Sequence, residues 1–188
     1  MLVEFVIPTY NRPELLRCML HSLLSQTISN WSAHIVIDNP EDKNNVELVE
    51  SFADDRIRCS KMDKRYNDWG HTPREYGKQQ SNAEYIIMTG DDNYYTPNFI
   101  KELNDKAVDR PGMIYWDMVH SHYDYHYFRC VPATGGIDMG AFATRKDLAQ
   151  QIHLGTDFAA DGSFVEHFKQ KFPLEKIVQI DKVLFVHN

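Results

Sequence analysis

Apolar positions along the chain fall into two rhythms: short, nearly unbroken runs, and stripes at helical spacing. The runs Leu2–Ile7, Ala33–Ile37 and Tyr85–Thr89 predict buried strands, the first of them stopped by Pro8. Leu15, Leu16, Met19, Leu20, Leu23 and Leu24 form one stripe and predict a helix, with Asn11 as its cap and Pro13 in its first turn. Further helices are expected over Asn44–Phe52, Arg74–Ser81, from beyond Pro97 to about Asp109, Arg145–His153 and Asp161–Phe172. Strands are expected at Ile57–Ser60, Met113–Val119, Tyr125–Val131 and within Lys176–Phe185. This alternation predicts an α/β sandwich whose first half carries a mainly parallel sheet. Ligands on such sheets lie beyond the carboxyl ends of the strands, which directs attention to Thr9, Asp38, Asp91 and Asp92.

Composition narrows the class. The chain has 188 residues, 43% of them hydrophobic, with no internal repeat and no Gly/Ser linker, so a single domain over residues 1–188 is expected. Twenty-seven acidic residues against twenty basic ones give a net charge of −7. That balance argues against a protein built to hold nucleic acid, which needs a basic face. No apolar run approaches the length of a membrane span, and the N-terminus lacks a basic segment and a small-residue cleavage site, so neither a transmembrane segment nor a leader is expected. Cys18, Cys59 and Cys130 are scattered and read as free thiols, and the expected location is cytoplasmic.

The chemistry lies at the strand ends. No GxGxxG, GxxxxGK[ST] or GxSxG occurs, which removes the common dinucleotide, P-loop and hydrolase readings. Asp91 and Asp92 follow an apolar strand and precede Asn93. Hard oxygen ligands suit Mg²⁺ or Mn²⁺, which bridge carboxylates to substrate phosphates. The plainer reading of the same residues is an Asp-rich turn that caps the helix near Pro97. His120, His122 and His126 alternate with Tyr123, Tyr125 and Tyr127. On a strand the three imidazoles would share one face, as a zinc site or, in the favoured reading, as part of a ligand-binding surface whose aromatic rings offer stacking faces.

Several segments, taken in order, carry a resemblance. Val6-Ile7-Pro8-Thr9-Tyr10-Asn11-Arg12, followed by Leu15-Leu16, resembles the opening of family 2 glycosyltransferases. Val36-Ile37-Asp38-Asn39 resembles the second-strand Val-Asp-Asp segment of that family, and Asn67-Asp68-Trp69-Gly70 with Arg74, Gly77, Ala83, Glu84 and Tyr85 resembles its next conserved-type stretch. Asp91-Asp92-Asn93 falls where the metal-binding DxD motif belongs. Gly136–Phe142 and Ala160-Asp161-Gly162 look like the acceptor-side and catalytic-base segments, so the resemblance spans residues 3 to 187. It implies the glycosyltransferase A fold, with a nucleotide-sugar-binding half over about residues 1–95 and an acceptor-binding half over about 96–188. It also implies an inverting, metal-dependent enzyme that moves a sugar from a nucleotide sugar, by preference a UDP-sugar, to an acceptor hydroxyl.

The resemblance assigns roles residue by residue. Thr9, Tyr10, Asn11 and Arg12 would contact the donor, the Tyr10 ring by stacking, and Asp38 would accept from N3–H of uracil. Arg74 would lie near the base or the diphosphate, with Asp91 also on the donor side. Asp92, Asn93 and His187 would hold Mn²⁺ or Mg²⁺. Asp161 would be the general base, with Asp157 and Glu166 as competitors. There are departures: Gly90 stands where many members carry the first Asp of DxD, Asn39 replaces a second Asp, and Glu75 follows Arg74 where Asn is usual. The chain also ends soon after the catalytic core, as a minimal version of the fold would. Two rival readings stay open. One is a degenerate domain that binds sugar nucleotides without catalysis, to which Gly90 lends weight. The other is a nucleotidyltransferase, disfavoured because Pro8-Thr9-Tyr10-Asn11 has no glycine to form a phosphate loop.

Overall fold

In the computed structural model, which describes residues 3–188, Val3–Thr9 forms β1 and is buried along its whole length. Strand and helix then alternate: Pro13–Leu24 (α1), Trp31–Ile37 (β2), Lys43–Ser51 (α2), Ile57–Lys61 (β3), His71–Gln80 (α3) and Tyr85–Met88 (β4). These strands pair in the order β3-β2-β1-β4, all parallel. The steps from β1 to β2 to β3 run one way across the sheet and the return to β4 runs the other. Right-handed crossovers therefore put α1 and α2, which touch, on one face and α3 on the opposite face. The reversal falls between β1 and β4, so a crevice opens at their carboxyl ends. There α3 lies so close to the sheet that a Cβ on Gly77 would sit 2.4 Å from Cγ1 of Val6.

Beyond β4 the chain forms Tyr94–Tyr95 (β5), Phe99–Ala107 (α4), Met113–His120 (β6), His126–Phe128 (β7), Phe142–Arg145 (β8), Lys146–Ala149 (α5), Ala160–Lys171 (α6) and Ile177–His187 (β9). Here the sheet becomes mixed. β8 inserts antiparallel between β4 and β6, whereas β9 runs parallel to β6 and antiparallel to β5. The register slips after Trp116, which faces Ile180, so that Asp117 faces Val183 and Met118 faces Phe185. Such irregularities bend a strand, and the curl carries His187 opposite His120. Phe99 and Trp116, with ring centroids 4.6 Å apart, and the neighbouring Phe5, Tyr95 and Phe185 join both halves into one core.

The mixed α/β fold is the expected one, with local differences. Leu2, expected to open the first strand, lies outside the described residues. Pro8 does not stop β1, which continues to Thr9. Alternate residues of a strand bond to the same flank, and Val6 accepts from the N–H of Thr89 there. Two residues on, Pro8 faces that flank where β4 has already ended, so its missing N–H costs nothing. Asn11 does not cap α1. It sits at φ 51°, its N–H donating to Oδ2 of Asp42 at 3.1 Å, and Arg12 takes the cap position without a side-chain bond. Helix α3 starts a turn earlier than Arg74, at His71. The helix expected over Arg145–His153 contracts to Lys146–Ala149, and the strand expected over Tyr125–Val131 contracts to β7 behind a turn at Asp124 and Tyr125. Among the described residues, no helix is long and apolar enough to cross a membrane.

Candidate active site

Two cavities meet on the face where the strands end. The first, about 530 Å³, is lined by Thr9, Tyr10, Arg12, Asp38, Arg74, Asp91 and Asp92 among others. Its charged groups are wired together. The Thr9 hydroxyl donates to Oδ2 of Asp91 at 2.7 Å and accepts from Nδ2 of Asn45 at 3.3 Å, so it orients the carboxylate. Burial pushes the Asp91 carboxyl upward, while the Thr9 hydroxyl and the Arg12 guanidinium pull it back. Nη1 of Arg12 lies 3.4 Å from Oδ1 of Asp91 and 3.0 Å from Oδ2 of Asp92. At Gly90 an added Cβ would fall 2.7 Å from Oδ1 of Asp92 and 3.1 Å from Nδ2 of Asn93, so this arrangement of the two side chains leaves no room for a larger residue.

Asp38, 5% exposed, accepts from the N–H of Tyr66 at 2.9 Å through Oδ1 and from that of Asn67 at 3.1 Å through Oδ2. It thus pins the loop after β3 while keeping one further acceptor position on each oxygen. Tyr10 carries the guanidinium of Arg65 over its ring at 3.7 Å, and Arg65 in turn donates to Oδ1 of Asn67 at 2.7 Å. Asn11 is exposed and does not line the cavity; its Oδ1 accepts from Nδ2 of Asn39 at 3.1 Å. Asn93 is instead buried: its amide donates to Oγ1 of Thr89 at 3.3 Å and accepts from the N–H of Asn188 at 3.2 Å.

Arg74, Trp69 and His187 line both cavities. Nε of Arg74 donates to the Thr89 carbonyl at 3.1 Å and Nη1 to the Trp69 carbonyl at 2.8 Å. Burial works against its charge, and Asp138, Asp91 and Asp92 work for it. Gly70, which opens α3 at φ 79°, must be small because a Cβ would lie 2.8 Å from the Pro8 ring.

The second cavity, about 420 Å³, holds Asp161. This residue sits in the first turn of α6, where its Oδ1 accepts from the N–H of Gly162 at 2.6 Å. Burial raises its carboxyl above the usual range, the Gly162 N–H opposes that, and Asp138 adds to it. A carboxylate with raised affinity for a proton is what a general base requires. The two competitors point elsewhere: Asp157 accepts from the N–H of Ala159 at 2.9 Å, and Glu166 lies 3.7 Å from Lys169 along α6. Neither lines the cavity.

His187 faces Oδ2 of Asp138 across 3.7 Å and stacks on His120 at a centroid distance of 4.0 Å. Burial, then the neighbouring His187, lowers His120 to about 4. The expected alternation of His120, His122 and His126 along one strand fails, because Ser121–Tyr123 turns as a 3-10 helix; His126, on β7, pairs opposite His120 but is exposed and does not line the cavity. Among the described residues, no three His, Cys, Asp or Glu side chains gather as a metal-holding set, which removes the zinc reading. Magnesium and manganese ask for less, one or two carboxylates completed by substrate phosphates. Asp91 and Asp92 already converge on one positive group, Nη1 of Arg12, so these residues fit such an ion, with His187 in the same cavity wall.

The sequence motifs gave no role to Asp138, Arg65 or Trp69. Asp138 and Trp69 lie inside the quoted segments, and Arg65 stands two residues before Asn67, but only the folded loops bring all three to the cavities.

Comparison with known proteins bears on the family and the fold. The model of glycosyl transferase family 2 matches residues 4–154. A Rickettsia conorii protein named as an uncharacterized glycosyltransferase is 29% identical over 117 residues, 61% of this chain and 19% of that protein. A similarly named protein of Haemophilus influenzae is 24% identical over 129 residues, 69% of this chain and 40% of its own length. The chain therefore spans less than half the length of these relatives. Among solved structures, Staphylococcus aureus TarS 1–349 superposes with a TM-score of 0.80 at 17% identity, covering 100% of this chain and 60% of that one. The mannosyltransferase PcManGT from Pyrobaculum calidifontis, in complex with GDP-Man and Mn²⁺, gives 0.75 at 17% identity over 98% of this chain and 56% of that one. These likenesses show the fold: a mixed α/β domain of the glycosyltransferase A type with a curled sheet. With its family model matched from the first strand through β8 and α5, the chain belongs to glycosyl transferase family 2.

Proposed function

We propose that this domain moves a sugar from a UDP-linked donor to an acceptor hydroxyl, with inversion and with Mn²⁺ or Mg²⁺. One observation carries the reading. A cavity holding the paired carboxylates Asp91 and Asp92 meets, at Arg74 and His187, a second cavity holding the half-buried carboxylate of Asp161, with Asp138 beside it. Neighbours of the same fold supply the donor chemistry: TarS 1–349 has structures in complex with UDP and with UDP-GlcNAc, and PcManGT one with GDP-Man and Mn²⁺.

The nucleoside lies along Tyr10 and Asp38, and the diphosphate between Arg12 and Arg74, whose guanidinium forks suit phosphate oxygens. Asp92 and His187 would hold the ion, Asp91 lies behind them on its Thr9 hydrogen bond, and Asn93 braces the turn from within. When bound, the ion neutralises charge on the departing diphosphate. Asp161 takes the acceptor's hydroxyl proton as that oxygen bonds to the anomeric carbon and the carbon–phosphate oxygen bond breaks on the opposite face. The free thiols, exposed Cys18 among them, suit a reducing cytoplasm as the working compartment.

The test is a screen of nucleotide sugars for release of nucleoside diphosphate, with and without EDTA, followed by NMR of the product's anomeric configuration. UDP release that requires metal and an inverted product support the proposal. Tight UDP binding with no release from any donor would instead assign the degenerate, binding-only reading.

A further inference from the structure

Three tryptophans occur in the chain, and two are core: Trp31 is 1% exposed and Trp116 0%. Trp69 is 68% exposed and sits at φ 56°, a backbone region that bulky residues rarely enter. Its loop is not slack. Asp38 holds the N–H groups of Tyr66 and Asn67, and Arg74 holds the Trp69 carbonyl at 2.8 Å. The fold therefore fixes the backbone in an unfavourable conformation and leaves a large indole against the solvent, in the wall shared by both cavities. Phe158, 83% exposed, and Tyr123, 55% exposed, line the Asp161 cavity with it.

We infer that the Asp161 cavity takes a neutral saccharide as acceptor, its ring stacked on Trp69. This rests on the proposed glycosyltransferase reading and names the substrate class for its second cavity. Flat rings offer large contact area at little entropic cost, and the C–H face of a sugar matches them. The charge in the wall selects against an anion. Asp138 and Asp161 stand against one permanent cation, Arg74, whose Nε and Nη1 already serve backbone carbonyls, and no lysine lines the cavity. Of the cavity's four imidazoles, His71, His120, His122 and His187, burial holds His71 and His120 toward the neutral form. A phosphate- or uronate-bearing acceptor would meet two carboxylates without a free permanent counter-charge.

Because Trp31 and Trp116 are buried, the fluorescence change on ligand binding reports position 69. The probes are neutral disaccharides of several linkages, their uronate or phosphate counterparts, and UDP with Mn²⁺. Expected is a saturable change with at least one neutral disaccharide and affinity about ten-fold or more weaker for its charged counterpart. By calorimetry, Trp69→Ala should lose about ten-fold or more in saccharide affinity, while Trp69→Tyr, which keeps a flat ring, retains most of it. The inference is overturned if no neutral disaccharide binds, if the charged ones bind better, if only UDP changes the emission, or if Trp69→Ala binds the saccharide as the wild type does. Failure of the UDP arm alone, with saccharide binding intact, would count against the glycosyltransferase reading and leave the saccharide site standing.

Discussion

The two cavities are built by opposite means. The cavity proposed for the donor is made of charges, and each charge is tied down: Asp91 to Thr9, Arg12 to both aspartates, Asp38 to two backbone amides, Arg74 to two carbonyls. The cavity proposed for the acceptor is made mostly of rings, with Asp161 held by one N–H and Asp138 by another. Physical cost explains the contrast. A half-buried charge must be partnered or it destabilises the fold, whereas an aromatic ring needs no partner and can face water. A diphosphate is common to nucleotide-sugar donors and rewards fixed charges. Acceptors differ in shape, which a padded wall with few bonds can accommodate.

The sharpest way to break the contrast is to remove the carboxylate proposed as the base on the padded side. Asp161→Asn should lower sugar transfer by about 10³-fold, within the range a general base supplies, while UDP affinity stays at the wild-type level. Transfer rates with saturating donor, and UDP titration of the same preparation, check both halves. Undiminished transfer would shift the role of base to Asp138.

The next largest effect concerns the frame of the donor side. His34 on β2 is fully buried, its Nε2 2.9 Å from Oγ of Ser60, and burial, then Arg58, lowers it to about 4. Its folded value lies below the unfolded 6.5, so the unfolded chain binds the proton first as pH falls. Stability is then complete above about pH 6.5 and declines toward pH 4 by about 2–3 kcal/mol from this group. Urea midpoints measured across that window should fall more steeply for the wild type than for His34→Gln. Parallel slopes would show that His34 does not carry the acid sensitivity.

A smaller effect separates ion from guanidinium. Asp92→Ala should weaken UDP binding in Mn²⁺ by about 30-fold, or about 2 kcal/mol. EDTA should then make no further difference, although Arg12 is freed to meet phosphate. If the variant still loses UDP when EDTA is added, Asp92 is not the residue through which the ion acts.

Legibility from sequence follows the same division. Strands β1, β2 and β4 are buried on both faces and so read as nearly unbroken apolar runs, and the polar residues at their ends announced the crevice. Strands β5 and β8 went unread because two and four residues carry no period of their own and exist through pairing with β9, β4 and β6. The residue type at a strand end was visible, but not what its lone pairs already serve. Thr9 was expected on the donor and its hydroxyl hydrogen is spent on Asp91. Asn93 was expected on the metal and its amide is spent on Thr89 and Asn188. His187 joins the site because of a register slip in β9, which no local pattern records.

The smallest predicted effect tests whether a residue already at work in the frame can also read a base. Both oxygens of Asp38 accept from backbone amides, at 2.9 and 3.1 Å, yet a carboxylate oxygen has room for a second donor. Uracil offers N3–H to that position, whereas cytosine presents N3 as an acceptor and sets two acceptors face to face. The mismatch should cost about 1.4 kcal/mol, so UDP should bind about ten-fold tighter than CDP in Mn²⁺. Asp38→Ala would free the loop as well as remove the acceptor, so Asp38→Asn is the cleaner probe. Its amide can turn Oδ1 to one backbone N–H and present Nδ2 to the ligand, a donor that suits N3 of cytosine. The UDP-to-CDP ratio should therefore fall toward unity in Asp38→Asn, with GDP as a control for non-specific diphosphate binding. Equal affinity for UDP and CDP in the wild type would mean that Asp38 serves only the loop, and the base would then be read by Tyr10 and Arg65, whose stacked faces do not distinguish the two pyrimidines.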